Sequence, residues 1–181
     1  MIARAVFLDR DGVLMEDANY VGQIERVRVI PGAAAALRQL REAGFKLFVV
    51  TNQSGVGRGY FPREAVDQIH EHLAQHDIRP DRYYICPHHP EDGCDCRKPK
   101  PKFFFEAARE YGVDLAHSYM IGDRPSDILA GQNAGCRTIL VLTGVGRETL
   151  ARNEVRPDHV ASDITAAVEW ILTRNASCSQ A

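Results

Sequence analysis

Asp9 and Asp11 are the residues of this sequence best placed to do chemistry. They end the apolar run Val6-Phe7-Leu8 and are separated by a single residue. Side chains of an extended segment alternate between faces, so both carboxylates can point the same way. Gly12 follows and permits a sharp turn. Like charges held this close require a cation or a shared proton. A magnesium ion and a phosphoryl group would satisfy paired aspartates at a strand end. Taken alone, the motif also fits an Asx turn after a strand.

Two further apolar runs end in polar signatures. Leu47-Phe48-Val49-Val50 leads into Thr51-Asn52-Gln53-Ser54, which sets a hydroxyl at a strand terminus and a donor-rich, glycine-containing turn behind it. Backbone amides of such turns can cradle phosphate oxygens. The run ending at Ile121 leads into Gly122-Asp123-Arg124, with Asp127 shortly beyond. Each signature alone also reads as a helix cap, and their convergence with Asp9 and Asp11 is what makes a site.

A different chemistry is concentrated between Cys86 and Cys96. Cys86, His88, Cys94 and Cys96 form two ligand pairs, each with one intervening residue. Three thiols and an imidazole make a tetrahedral zinc set with no position left for water, hence a structural site. His89 is the competing ligand, but strand-like alternation turns it away from Cys86 and His88. Arg97 and Lys98 come next. A guanidinium there can take a phosphate through paired hydrogen bonds. Asp17, Asn19 and Tyr20 carry groups suited to sugar hydroxyls, and Gln53 and Ser54 are further candidates.

The elements that must position these groups are readable as alternating strands and helices. Strand-like runs cover 5–8, 46–51, 83–86, 118–121 and 138–142, with a weaker one at 159–161. Helices are expected over 33–43, 63–76, 102–111, 127–134 (capped by Ser126) and 164–174 (capped by Asp163). This alternation predicts an α/β fold with a mostly parallel sheet covered on both faces, and ligands beyond the carboxyl ends of its strands. Residues 1–174 are expected to form one domain, with a flexible tail over 175–181.

The chain has 181 residues, 45% hydrophobic and 25% charged, with a formal net charge of -2. That composition gives no electrostatic reason to expect nucleic acid. No apolar run is long enough to span a membrane, and the start is no secretory signal, so a cytoplasmic protein is expected. Five cysteines, three of them within residues 86–96, suggest metal rather than a disulfide framework.

Taken in order, these residues resemble the haloacid dehalogenase superfamily of aspartate-nucleophile phosphatases. Asp9-Arg10-Asp11-Gly12-Val13 matches its first motif and Thr51 its second. A lysine within Arg97-Lys98-Pro99 matches the third, and Gly122-Asp123 with Asp127 the fourth. The zinc loop and Asp17-Ala18-Asn19-Tyr20-Val21 are similar to the heptose bisphosphate phosphatases of that superfamily, whose near relatives are histidinol-phosphate phosphatases. One departure is Lys102-Phe103, where many relatives have Gly-Met. It makes Lys100 and Lys102 rivals of Lys98.

The resemblance implies a three-layer Rossmann-like fold without a large cap domain. It implies a magnesium-dependent phosphatase that takes the C7 phosphate from a heptose 1,7-bisphosphate, in nucleotide-activated heptose and lipopolysaccharide core biosynthesis. Asp9 would be the nucleophile and Asp11 the general acid and base, with Thr51 and Lys98 on the phosphoryl oxygens. Magnesium would lie on Asp9, the main-chain carbonyl of Asp11 and Asp123, with Asp127 orienting that shell. Asp17, Asn19, Tyr20, Asn52, Gln53, Ser54, Arg97 and Arg124 are the candidate substrate contacts. The expected partner is a small sugar phosphate, and the expected state a monomer. A histidinol-phosphate phosphatase of histidine biosynthesis is the nearest alternative, and a zinc-stabilised binding module with a vestigial core is the contrasting reading from another class. The second of these makes the sharper demand on the residues. It would be favoured by loss of Asp9, Asp11 or Asp123, and all three are present.

Overall fold

The computed structural model describes residues 2–178. In chain order it contains β1 (Arg4–Leu8), α1 (Ala33–Glu42), β2 (Phe45–Asn52), the single turn α2 (Ser54–Gly57), α3 (Arg63–Gln75) and β3 (Arg82–Cys86). It continues with α4 (Lys102–Tyr111), β4 (Tyr119–Gly122), α5 (Pro125–Ala134), β5 (Arg137–Val141), α6 (Gly146–Arg152), β6 (His159–Ala161) and α7 (Ile164–Cys178). Short 3-10 turns occupy Ile24–Arg26 and Leu115–His117.

The six strands form one sheet in the order β3-β2-β1-β4-β5-β6, and every pairing is parallel. Alternation along β1 feeds two cores. Val6 and Leu8 pack with Leu37, Leu40, Ile69 and Ile171, on the side of α1, α3 and α7. Ala5 and Phe7 pack with Phe104, Ala107 and Ala130, on the side of α4 and α5. Phe7 anchors this second core, with its ring centroid 4.4 Å from Phe104 and 5.4 Å from Phe48. Burial on both faces is why the strands are apolar without interruption.

The strand order reverses between β1 and β4, its neighbour on the other side from β2. Such a switch point opens a crevice beyond the strand carboxyl ends, where Asp9, Thr51 and Asp123 stand. Among the described residues no large cap domain interrupts the sheet, and no helix is long and apolar enough to cross a membrane.

Three expectations need correction. Ser126 does not cap α5: Pro125 opens the helix, and Asp127 in its first turn accepts a hydrogen bond from the Arg124 N–H at 3.0 Å. The last helix does not stop at Arg174 but continues to Cys178, so residues 175–178 of the expected tail are helical. Residues 179–181 of that tail lie outside the described residues. Helix α6 was not foreseen, because its seven residues bury only Gly146 and Thr149 and leave little apolar periodicity to read.

Candidate active site

Asp9 follows β1 directly and is buried. Its Oδ1 accepts a hydrogen bond from the Arg10 N–H at 2.7 Å and pairs with Lys98 Nζ at 3.0 Å. Lys98 Nζ also reaches Asp127 Oδ1 at 2.7 Å and donates to the Val50 carbonyl at 2.6 Å. Of the three rival lysines, only Lys98 reaches these carboxylates. Lys100 donates to the Gly93 and Cys94 carbonyls and Lys102 pairs with Asp95, all on the surface.

Asp123, at the end of β4, is completely buried. The Val145 N–H donates to its Oδ2 at 2.9 Å, and Thr149 Oγ1 donates to its carbonyl at 2.8 Å. Among the described residues its Oδ1 has no hydrogen-bond partner. Gly12, at φ 83°, lies so close to this carboxylate that a Cβ there would collide with it. Thr143 ties the same turn down by donating to the Gly12 carbonyl at 2.5 Å. Sequence reasoning missed Thr143 and Val145, from the loop after β5, and Thr149, from α6.

Asp9, Asp123 and Asp127 place carboxylate oxygens within 4.8 Å of one another, with Lys98 as the one cation in direct contact among the described residues. Burial pushes Asp9 up to about 7 against the pull of Lys98, and Asp127 and Asp11 add to the rise. Burial, then Asp9 and Asp127, push Asp123 up to about 8. For Lys98, burial favours loss of the proton, but Asp127 and Asp9 outweigh it and hold the amine above its usual range. A buried site this short of positive charge, with an unpartnered carboxylate oxygen, fits a divalent cation. Asp127 Oδ2 accepts the Arg124 N–H, and its Oδ1, which has no hydrogen bond among the described residues, is ion-paired with Lys98 Nζ at 2.7 Å. That leaves Asp9 and Asp123 as the better placed side-chain ligands.

Asp11 is held differently. Arg10 donates to it through Nε at 3.2 Å and Nη2 at 3.0 Å. Gln53 Nε2 donates both to Asp11 Oδ2 and to Thr51 Oγ1, each at 2.8 Å. Arg10 was not among the expected site residues.

A cleft of about 260 Å³ opens over these groups. Asp9, Asp11, Thr51 and Lys98 form its floor, and all eight expected substrate contacts line it. They face it in different ways. Asn52 spends both ends of its amide on the main chain of Lys98, at 3.0 and 3.2 Å, and so holds that segment in place. Gln53 is likewise engaged with Asp11 and Thr51. Asp17 and Arg124 form an ion pair across the mouth. Asn19 and Tyr20 stand at the rim, both at φ 50°. Tyr20 packs edge-on against Tyr60. Arg97 borders the cleft beside Lys98, and its Nη1 is buried without a hydrogen-bond partner among the described residues. Gly55 and Ser126 line the cleft without having been foreseen as contacts.

Two family models match the chain. The haloacid dehalogenase-like hydrolase model covers residues 6–85, and a second model of the same hydrolase type covers residues 95–167. The D-glycero-beta-D-manno-heptose-1,7-bisphosphate 7-phosphatase of Haemophilus ducreyi is 40% identical, over 93% of this chain and 98% of its own. The chain belongs to the haloacid dehalogenase-like hydrolases. The D-glycero-D-manno-heptose-1,7-bisphosphate 7-phosphatase of Thermosynechococcus vestitus is 39% identical over 93% of this chain and 95% of its own. Among solved structures, the D,D-heptose 1,7-bisphosphate phosphatase from B. bronchiseptica, complexed with magnesium and phosphate, superposes with a TM-score of 0.88. It is 38% identical and covers 94% of this chain and 99% of its own. With these relatives, the chain is a phosphoric monoester hydrolase.

The second cluster lies at the end of β3. Cys86, His88, Cys94 and Cys96 bring their ligand atoms within 4.8 Å of one another. Cys86 and Cys94 have their sulfurs 3.6 Å apart, and His88 Nδ1 lies 3.7 Å from Cys86 Sγ and 3.3 Å from Cys96 Sγ. Thiolates about 2.3 Å from a tetrahedral zinc would stand roughly 3.8 Å apart, so the set has the dimensions of one ion's shell. The His89 ring instead accepts the Glu91 N–H at 3.3 Å. The loop is stitched to the cleft wall: Gln53 N–H donates to the Cys86 carbonyl and Gly57 N–H to the Pro87 carbonyl, both at 2.8 Å.

Proposed function

We propose that this enzyme removes the C7 phosphate of D-glycero-D-manno-heptose 1,7-bisphosphate through an aspartyl-phosphate on Asp9. It would thereby serve nucleotide-activated heptose and lipopolysaccharide core biosynthesis. The observation that carries this reading is Arg97, a cationic side chain with an unpartnered buried nitrogen on the wall of the cleft that holds Asp9. The names of the full-length relatives point the same way.

In this reading a carboxylate oxygen of Asp9 attacks phosphorus, and the bond from phosphorus to the sugar oxygen breaks. Asp11 gives its proton to that departing oxygen. A water then attacks the aspartyl-phosphate, Asp11 takes a proton from it, and inorganic phosphate leaves with Asp9 restored. Lys98 and Thr51 hold the equatorial oxygens as charge develops. Asp9, Asp123 and the main-chain carbonyl of Asp11 would hold magnesium, which supplies charge neutralisation between nucleophile and phosphate.

Arg97→Ala tests the substrate class. A charge-assisted hydrogen bond is worth about 1.5–3 kcal/mol, so kcat/KM for the bisphosphate should fall roughly ten- to hundredfold. A monophosphate such as histidinol phosphate, lacking the second anion, should change much less. Equal losses on both substrates would remove the bisphosphate assignment and leave a small-molecule phosphatase.

Zinc on Cys86, His88, Cys94 and Cys96 is the structural half of the proposal. Cys94→Ala or Cys96→Ala should abolish stoichiometric zinc in elemental analysis. A loss of about 3 kcal/mol would lower the melting temperature by roughly 6–12 °C. Activity should fall with it, because Arg97 and Lys98 leave the second ligand pair directly. Zinc-free wild-type protein of full stability, purified without chelator, would dismiss the site.

A further inference from the structure

We propose that Arg10 is a positioning residue for the chemical step, fixing the Asp11 carboxyl group toward the oxygen of the departing sugar. The inference rests on the reading of Asp11 as general acid. Arg10 is fully buried, one of the largest completely enclosed side chains of the molecule. Two of its nitrogens grip Asp11: Nη2 lies 3.0 Å from both carboxyl oxygens, and Nε donates to Oδ2 at 3.2 Å. The planar fork of a guanidinium fixes the plane of the carboxyl as well as its position, which a lysine ammonium cannot do. Gln53 Nε2 also donates to Oδ2, at 2.8 Å. Asp11 itself stays 20% exposed, so it is held from behind and remains open to the cleft in front.

Nothing else accounts for a charge in this place. Arg10 lies outside the cleft lining, so it is not a phosphate ligand. Its third nitrogen, Nη1, is buried without a partner among the described residues, so its enclosure is costly. The groups around it offer no second counter-charge. His70, from α3, is stacked on Tyr83 with ring centroids 3.7 Å apart. Burial, then Arg10 and Arg63, keep His70 neutral by lowering it to about 3. Burial pushes Tyr83 up to about 12, so it too is uncharged. Asp11 is thus the one acidic side chain that Arg10 contacts among the described residues, and orienting its carboxyl group is the role that this buried guanidinium is placed to play.

Orientation of the acid matters only when the leaving group needs a proton. The test compares kcat/KM for a heptose 1,7-bisphosphate, which expels an alkoxide, with that for p-nitrophenyl phosphate, whose phenolate leaves unaided. General acid catalysis contributes roughly 10²–10⁴-fold. Arg10→Lys, which keeps the buried charge but loses the fork, should lower the sugar ester at least about tenfold and the aryl ester less than about threefold. Arg10→Gln should show the same asymmetry, with folding of both variants checked by circular dichroism. Asp11→Asn is measured alongside. If Asp11→Asn is selective for the sugar ester while both Arg10 variants are not, the positioning role is refuted and the acid reading stands. If Asp11→Asn lowers both esters alike, the acid reading falls and the role of Arg10 falls with it.

Discussion

Asp9→Asn should bring turnover below about a hundredth of wild type while the protein remains folded, since loss of a nucleophile normally costs far more than that. The amide keeps a carbonyl oxygen for the Arg10 N–H, which now meets Oδ1 at 2.7 Å. Lys98 keeps Asp127 as its counter-charge at 2.7 Å. The substitution also removes one of three crowded buried carboxylates, so the fold loses a repulsion as well as an ion pair. What the amide cannot do is form the acyl-phosphate bond, and it is a poor ligand for magnesium. Phosphate release measures the rate, and circular dichroism measures the fold. In wild-type protein quenched during turnover, mass spectrometry should find a phosphoryl group on the peptide containing Asp9. A residual rate above about one per cent would refute the covalent route.

Lys98→Met should damage both activity and stability. The lysine is enclosed and touches Asp9, Asp127 and the Val50 carbonyl at once. Removing one partner of a buried pair costs about 3–5 kcal/mol, because the remaining charge is left uncompensated. In metal-free protein that is a fall of roughly 6–20 °C in melting temperature. Magnesium should restore part of it by supplying positive charge to the same carboxylates. Activity should fall by about 10²–10³-fold, on bisphosphate and monophosphate alike, as for other lost donors to a transferring group. An unchanged melting temperature with less than a tenfold rate loss would show that another amine does the work.

The strands were readable because a parallel sheet buried on both faces leaves continuous apolar runs. Each of the six was placed to within one residue at either end. The polar groups at three strand ends were readable for the same reason, since they interrupt those runs at the crevice. The missed residues carry no such local mark. Val145, before α6, and Thr149, within it, reach Asp123 across more than twenty residues of sequence from a segment of ordinary composition. Arg10 sat in plain view between two aspartates, but strand alternation assigns it to the opposite face. The chain bends after Leu8, and the guanidinium folds back onto its neighbour. Asn52 and Gln53 lie where expected, yet their amides serve Lys98, Asp11 and Thr51. Only the folded contacts separate a group facing the substrate from one holding its neighbours.

The strand that carries the Cys/His loop lies at the margin of the sheet, paired with β2 alone. Asp9 follows β1, which lies beside the centre, between two neighbours. A lengthened or shortened loop after β3 therefore disturbs no second strand, whereas any change near β1 propagates both ways. Substitutions confined to that loop should therefore change what the cleft accepts more readily than how the groups beside β1 are held. One condition restricts such changes. Whatever segment replaces residues 86–98 must hand a lysine back to the place where Asn52 receives it.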